Sequence, residues 1–225
     1  MCDRFAQQYS VDTYLHELNP AVAPPGPIGG TPALIDALPA MLPTGAAPIA
    51  PNSRVMVFLN GPEGIETRYV RWGWTPVWAM GTRPPLTHLP LRTASSSKAF
   101  QRVWREGRVL VAADGWFEVA HDPVASGSSR AVYFSHASGR PVFLAGLAQI
   151  SEPASGCDGL VLVSLDDAAQ AGHQRLLALQ GADALNWLDP GLEAAQALER
   201  LSGCLLGDPA FHCAPARQRA ARKRH

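Results

Sequence analysis

Apolar positions along this chain change their period several times, and each change marks an element. Near the N-terminus the apolar residues stand at helical spacing: Val11, Tyr14, Leu15 and Leu18. With Ser10 or Asp12 near its start, this pattern predicts a short helix over residues 11–18. Residues 19–52 are rich in Pro, Ala and Gly yet keep many apolar side chains. This predicts an irregular covering segment with one helical island at 34–42.

Runs of β-branched and aromatic residues predict that the middle of the chain is built from strands. The predicted strands cover residues 54–59, 66–72, 108–113, 114–119, 131–135, 141–150 and 159–164. A turn that contains Asn-Gly joins the first two into a hairpin, and a tight turn at 137–140 predicts a second hairpin from 131–135 and 141–150. Residues 160–163 are apolar without interruption, which predicts a central strand covered on both faces.

Helical periodicity returns at residues 95–106, 182–188 and 191–201. Serines at the start of the first of these helices can act as caps. Lys98, Arg102 and Arg105 follow at i, i+4 and i+7, so one face of this predicted helix is basic. Such a face is either solvated or in contact with phosphates, and the pattern leaves both interpretations open.

Composition narrows the class of protein. The chain has 225 residues, enough for one large domain or two small ones. Its hydrophobic fraction of 47%, with 20 Gly and 20 Pro, is typical of a loop-rich globular protein. The formal net charge is zero, no apolar run is long enough to span a membrane, and the N-terminus does not resemble a secretory signal. We therefore expect a soluble, cytoplasmic protein, with a monomer as the default.

The cysteines predict neither a disulfide scaffold nor a metal site. They are few and far apart in the sequence: Cys2, Cys157, Cys204 and Cys213. Cys204, His212 and Cys213 come closest to a metal-ligand cluster, but a second ligand pair at finger spacing is missing. We expect no bound metal.

The second residue is the strongest chemical candidate. Removal of Met1 makes Cys2 the N-terminal residue, whose α-amine and thiol together form a 1,2-aminothiol. Both kinds of group titrate near neutrality, so both nucleophiles are partly available at pH 7. The amine can condense with an aldehyde, and the thiol can close onto the imine to give a thiazolidine. The alternative is an incidental cysteine at a frayed chain end.

Two further side chains are candidates for proton transfer. Glu118 follows Trp116 and Phe117 in a strand that we expect to be largely buried. Aromatic neighbours disfavour the charged form of a carboxyl group, as a general acid/base requires. His173 follows a run of small residues that would let it project into a cleft, and imidazole suits proton transfer at pH 7. A solvent-facing glutamate and a structural histidine are the alternatives.

Three tryptophans lie close together around Gly73 and Pro76: Trp72, Trp74 and Trp78. Aromatic residues packed this densely beside a turn usually belong to a core or to the corner of a barrel. They could also form a platform on which nucleic-acid bases stack. The basic C-terminal segment at 216–225 leaves a similar choice, since such tails either bind nucleic acid or stay free.

Several of these features occur together, in the same order, in one protein family. The matching stretches are Met1-Cys2-x-Arg4-Phe5, Ala50-Pro51, Arg71-Trp72-Gly73-x-x-Pro76-x-Trp78, Ala113-Asp114-Gly115-Trp116-Phe117-Glu118 and His173-x-Arg175. With them the chain resembles the SRAP family, the SOS response-associated peptidases or abasic-site processing proteins. The Met-Cys start and the Ala-Asp-Gly-Trp-Phe-Glu stretch are the most specific parts of the resemblance.

This resemblance implies an α+β fold that is predominantly β, a distorted β-barrel with short flanking helices, in a single domain over residues 1–215. It also implies that Cys2 forms a thiazolidine crosslink with the aldehyde of an abasic site in single-stranded DNA. Glu118 and His173 would transfer protons, and Glu118 would also serve in removal of Met1. The implied DNA contacts are Arg4, Arg71, Trp72, Arg92 and Arg175. A trapped aldehyde requires no cofactor.

The chain departs from the family pattern at several positions, and most strongly in one segment. Family members carry Asn-Ala-Arg-x-Glu-Thr before the glutamate strand, and this chain has His88, Pro90 and Arg92 at the Asn, Arg and Glu positions. His88 can still donate a hydrogen bond to the reacting atoms, and Arg92 could supply a compensating charge. Two other functions stay open. One is binding of single-stranded DNA or a protein partner without a covalent step, and the other is a cysteine peptidase with an N-terminal nucleophile.

Overall fold

The structure of the protein is a computed structural model, and it describes residues 2–19, 48–121, 129–166, 174–201 and 211–215. Its strands are β1 (Cys2–Ala6), β2 (Arg54–Gly61), β3 (Gly64–Arg71), β4 (His88–Pro90), β5 (Arg108–Ala113), β6 (Gly115–His121), β7 (Ser129–His136), β8 (Val142–Gln149), β9 (Gly159–Asp166), β10 (Gln174–Leu176), β11 (Ala178–Leu179) and β12 (Phe211–Pro215). Its helices are α1 (Val11–Leu18), α2 (Leu91–Ser96), α3 (Gln101–Glu106), α4 (Gly181–Leu188) and α5 (Ala194–Leu201). The predicted helical island at 34–42 and the predicted tail at 216–225 lie outside the described residues.

The strands form two sheets, and the expected α+β fold with predominant β-structure is confirmed. The smaller sheet has the order β1-β6-β7-β12, with antiparallel neighbours throughout. The larger has the order β10-β9-β8-β5-β2-β3, with β11 added on β8 and β4 added in parallel on β9. Across the described residues neither ladder closes into a complete ring, so the barrel is an open one.

The second predicted hairpin is wrong. The chain does turn after β7, where Gly139 N–H donates to the carbonyl of His136 at 2.9 Å and Gly139 has a φ of 71°. However, β7 pairs with β6 and β12, whereas β8 pairs with β5, β9 and β11 in the other sheet. The turn residues specify a reversal of the chain, but long-range pairing decides which strand becomes the neighbour.

The predicted helix over 95–106 is broken in the middle. Helix α2 ends at Ser96, and Ser97 is extended, with φ −84° and ψ 128°. A 3-10 turn over Lys98–Phe100 follows, and α3 begins at Gln101. The break turns the Phe100 ring towards Trp74, at 5.9 Å between centroids, so tertiary packing overrides the helical periodicity. Lys98 is therefore not on the same helix as Arg102, whose Nε is 3.0 Å from Glu106 Oε2.

Two clusters of buried side chains hold the sheets and helices together. One lies between the sheets and contains Phe5 of β1, Trp116 of β6 and side chains from β2, β5, β8 and β9. The other lies beneath the helices and contains Tyr14, Trp104 and Trp187. Because β1 contributes to the first cluster, burial of apolar surface holds the N-terminal strand against the larger sheet. Among the described helices none is long and apolar enough to cross a membrane.

Candidate active site

Strand pairing places the predicted nucleophile opposite the predicted acid/base. In the antiparallel pair of β1 and β6, Cys2 lies opposite Glu118, and an irregularity follows before Arg4 pairs with Phe117. Directly opposed residues in such a pair have Cα atoms about 4.5–5.5 Å apart. The backbone alone therefore brings Cys2 and Glu118, which are far apart in the sequence, to within reach of each other.

The carboxyl group of Glu118 is buried and held by an indole. Glu118 is only 6% exposed, and Trp116 Nε1 donates a hydrogen bond of 2.9 Å to Glu118 Oε1. Residues two apart in a strand point to the same face, which makes this contact possible. The Trp116 ring is itself stacked on Phe134, with 5.6 Å between centroids and 10° between planes. Trp116 is a site residue that the sequence patterns do not single out, although its spacing of two residues from Glu118 is a signal of this contact.

One ring nitrogen of His88 is buried without a hydrogen-bond partner in the described part of the chain. Strand β4 places His88 opposite Leu162 of β9. Its Nδ1 is 3.0 Å from the hydroxyl of Thr87, while its Nε2 is buried and has no hydrogen bond to any described residue. The ring meets Trp72 edge to face at 5.8 Å, and Trp72 packs on Phe5 of β1 at 5.3 Å. One aromatic ring therefore separates His88 from the N-terminal strand.

The surroundings of His88 keep its imidazole neutral. Burial lowers the pKa of His88 to about 4, because a buried site disfavours the charged imidazolium. An α-amine has an ordinary pKa of about 8, so a group with a pKa near 4 is a poor acceptor for its proton. A neutral imidazole with one nitrogen bound to Thr87 is suited instead to hydrogen bonding through Nε2.

The lowered pKa of His88 predicts a loss of stability in acid. Between about pH 6.5 and pH 4 the unfolded chain binds a proton at His88 that the folded protein does not bind, so stability is complete above this range and falls as the pH falls through it. We expect about 3 kcal/mol of unfolding free energy to be lost this way. Urea denaturation near pH 7 and near pH 4 should show a smaller difference for His88→Asn than for the unchanged protein.

A matched variant separates this effect from general acid sensitivity. His136→Asn removes a different imidazole, whose Nδ1 contacts the hydroxyl of Ser138 at 2.7 Å on the surface. The interpretation of His88 is contradicted if His88→Asn and the unchanged protein lose the same free energy between the two pH values.

The predicted arginines lie in different places around these groups. Arg4 is half-buried, with its guanidinium carbon 5.3 Å from the centre of the Phe117 ring. Arg71 donates to the carbonyl of Asp158 at 3.4 Å, and Arg92 is exposed in the first turn of α2. Arg175 lies in β10 opposite Leu165 of β9, so His88 and Arg175 flank β9 from opposite sides. Arg4 is therefore the one among them that lies next to Glu118 in the strand ladder.

The tryptophan cluster divides between core and surface. Trp72 is 0% exposed and donates through Nε1 to the carbonyl of Thr87 at 2.9 Å, and Trp74 is also buried. The predicted contact between Trp72 and DNA is therefore wrong, because its ring has no free face. Trp78 is 53% exposed and lies beside two other exposed apolar residues, Val77 and Met80. Spacing in the sequence does not distinguish the buried rings from the exposed one, because Pro76 and the 3-10 turn that follows it place Trp78 at the surface.

The predicted proton-transfer residue His173 lies outside the described residues. Its nearest described neighbour is Gln174, whose Oε1 accepts a hydrogen bond of 3.1 Å from the buried hydroxyl of Ser164.

Among the described side chains no group of three or more His, Cys, Asp or Glu residues is arranged to bind a metal ion.

Comparison with known proteins identifies one family and one characterised relative. The family model of the SOS response associated peptidases (SRAP) matches residues 1–218. The abasic site processing protein YedK of Escherichia coli is 28% identical over 213 residues, which cover 91% of this chain and 87% of YedK.

Solved structures of two Bordetella bronchiseptica proteins have the same fold. A phage-related protein aligns with a TM-score of 0.72 and 24% identity, over 96% of this chain and 95% of that protein. A second protein aligns with a TM-score of 0.64 and 16% identity, over 97% of this chain and 100% of that one. At these identities the likeness concerns the fold alone. Since the family model covers almost the entire length, this chain belongs to the SOS response associated peptidase (SRAP) family.

Proposed function

We propose that this protein processes abasic sites in single-stranded DNA by forming a covalent crosslink through Cys2. The observation that carries the proposal is the pairing of Cys2 with Glu118, a buried carboxyl group held by Trp116. The relationship to YedK, an abasic site processing protein, supports the choice of substrate.

The reaction begins once Met1 is gone, and Glu118 is the candidate for assisting that removal. The α-amine of Cys2 attacks the aldehyde carbon of the ring-opened abasic sugar, and the carbonyl oxygen leaves as one molecule of water to give an imine. The thiol then adds to the imine carbon, its proton passes to the nitrogen, and a thiazolidine results. Glu118 supplies the proton that the departing hydroxyl needs, and a general acid in this position typically contributes 10²- to 10⁴-fold.

Two histidines complete the proposed set of reacting groups. His173 transfers protons during ring opening of the sugar and reversal of the crosslink. His88 holds an oxygen of the sugar through its Nε2, which has no hydrogen-bond partner among the residues that the structure describes, and its imidazole is neutral at physiological pH. In this arrangement Glu118 and His173 move protons, whereas His88 orients the substrate.

DNA is held by charge and by stacking rather than by reading bases, because an abasic site offers no base to read. Arg4, Arg71, Arg92 and Arg175 are the proposed phosphate contacts. Trp78 is the proposed stacking surface, since it is exposed beside Val77 and Met80. We further propose that residues 1–215 act as a single domain, in a monomer in the cytoplasm, without a cofactor.

A single pair of oligonucleotides tests the proposed chemistry. Protein whose intact mass shows that Met1 is absent is incubated with a single-stranded oligonucleotide that carries one abasic site, and with the same oligonucleotide after reduction of the aldehyde to an alcohol. We expect a band that survives denaturing electrophoresis only with the aldehyde. Its mass should equal protein plus oligonucleotide less one water molecule.

The alternative function is DNA binding without a covalent step. Pro90, which has no N–H and no charge at a position where the family carries Arg, favours this alternative. DNA binding without a covalent step becomes the better interpretation if protein without Met1 binds both oligonucleotides equally and gives no adduct with either. Turnover of a peptide library by the same preparation would instead support the cysteine peptidase.

A further inference from the structure

The side chain of Gln7 is inserted between two strands of the larger sheet. Its Nε2 donates to the carbonyl of Met56 in β2 at 3.0 Å and to the carbonyl of Ala112 in β5 at 2.9 Å. Its Oε1 accepts from the N–H of Met56 at 3.1 Å. Both hydrogens of the amide nitrogen and its oxygen are therefore bound to main-chain groups.

The ladder between β2 and β5 explains why this space is available. The two strands pair at Phe58 and Leu110. Two residues further along each antiparallel strand are Met56 and Ala112, which would form the next equivalent pair. Here the carboxamide of Gln7 takes the place of the direct hydrogen bonds, because a side-chain amide offers the same donor and acceptor groups as a peptide. The N-terminal segment is thus joined to the centre of the larger sheet.

Asp114 fixes the residues on both sides of Gln7. Its N–H donates to the carbonyl of Ala6 at 2.9 Å, and its Oδ2 accepts from the N–H of Gln8 at 2.9 Å. Its Oδ1 accepts a hydrogen bond of 2.6 Å from the hydroxyl of Tyr14 in α1. Ala6, Gln7 and Gln8 are therefore tied in succession to the turn that leads into β6.

Strand β1 needs such an anchor. It is only five residues long, it lies at the edge of the smaller sheet, and its register against β6 is irregular between Cys2 and Arg4. A slip of one residue would turn every side chain of the strand to the opposite face and move Cys2 away from Glu118. Chain ends fray unless they are tied down.

We propose that Gln7 is a positioning residue for the reaction at Cys2, because its amide fixes the register of β1 and so the place of Cys2 opposite Glu118. This inference rests on the proposed function of Cys2. Gln7 does not contact the substrate. Its contribution is to hold the reacting amine and thiol in place, and a displacement of about 1 Å in such an arrangement can cost 10²-fold in rate.

Two variants of Gln7 and one control test this. Gln7→Met keeps the length of the side chain and removes all three hydrogen bonds. Gln7→Glu keeps the acceptor for Met56 N–H but loses both donors while it is ionised. Gln8→Met is the matched control, since Gln8 is the next residue in the chain and its side chain is exposed.

Hydrogen–deuterium exchange of the peptide covering residues 2–6 measures how firmly β1 is held. The single-turnover rate of adduct formation at saturating abasic DNA measures the reaction, and the dissociation constant for DNA is measured separately. For Gln7→Met we expect exchange at least about tenfold faster and a maximal rate lower by roughly 10- to 100-fold, with the dissociation constant unchanged. Gln7→Glu should regain rate relative to the unchanged protein as the pH is lowered, because the protonated carboxyl can again donate to one carbonyl. Gln8→Met should match the unchanged protein.

The outcomes separate this inference from the function on which it rests. Unchanged exchange in both Gln7 variants overturns the role of Gln7 whether or not the protein reacts with DNA. Faster exchange with an unchanged maximal rate overturns the positioning role and leaves a purely structural one. Absence of an adduct from the unchanged protein contradicts the proposed function, while exchange still decides whether Gln7 fixes the strand. If Gln7→Met does not fold, Gln7→Glu carries the same comparison.

Discussion

A Cys2→Ala variant is expected to form no adduct with abasic DNA that survives denaturation. Alanine keeps the α-amine, so an imine can still form, but imines hydrolyse and the thiazolidine cannot close without the thiol. The variant should still bind single-stranded DNA, because the proposed phosphate contacts and Trp78 are untouched. Denaturing electrophoresis gives the adduct, and fluorescence anisotropy gives the DNA affinity.

Another cysteine of the chain provides the control. Cys157 is buried in the connection between β8 and β9, and its thiol is 3.3 Å from the sulfur of Met80. Cys157→Ala should form the adduct at the rate of the unchanged protein. A stable adduct with Cys2→Ala would show that a different nucleophile reacts, and the assignment of Cys2 would then be abandoned.

Glu118→Gln is expected to slow adduct formation by roughly 10²- to 10⁴-fold. Glutamine has nearly the shape of glutamate, and its Oε1 can still accept the N–H of Trp116, so packing and strand pairing are retained while proton transfer is lost. Single-turnover kinetics at saturating DNA measures the effect, on variant protein whose intact mass shows that Met1 is absent, and the dissociation constant for DNA should stay the same.

The matched control for Glu118 is Glu106→Gln. Glu106 is exposed at the end of α3, where it pairs with Arg102, and it should have no effect on the rate. A rate for Glu118→Gln within about twofold of the unchanged protein would mean that Glu118 transfers no proton in the slow step. An increased dissociation constant would point to a role in binding instead.

The elements that could be predicted from the sequence are those whose causes are local. Helix α1 has the predicted bounds, and the Ser10 hydroxyl accepts from the N–H of Thr13 at its start. The β2–β3 hairpin forms around a two-residue turn after Gly61. The apolar run at 160–163 is a strand with β8 on one edge and β4 on the other, as expected of a central position. In each case periodicity or turn chemistry within a few residues decides the structure.

Features that depend on distant partners were not predicted. Nothing near β7 indicates that β8 leaves for the other sheet, and nothing near Ser97 indicates that Phe100 packs on Trp74. The side-chain amide of Gln7 binds main-chain groups of residues that are 49 and 105 positions away in the chain. Such contacts are set by the assembled core, which a local pattern does not contain.

The candidate site was predicted as chemistry rather than as geometry. The reactivity of their side chains predicts Cys2 and Glu118 as site residues, and the strand ladder places the two residues opposite each other. Burial decides two further features, which residue types alone do not predict. One is the hydrogen bond from Trp116 to Glu118, and the other is the lowered pKa of His88. Trp72 shows the converse, because an aromatic residue in a promising motif turned out to be core.

The edge position of β1 has a consequence for how the protein is prepared. Any residue that an affinity tag leaves in front of Cys2 converts its α-amine into an amide, which cannot condense with an aldehyde. The added residues would also prolong an edge strand beyond its pairing with Glu118. A tag at the C-terminus avoids both effects. Purification strategy therefore decides whether the proposed nucleophile exists at all in the sample.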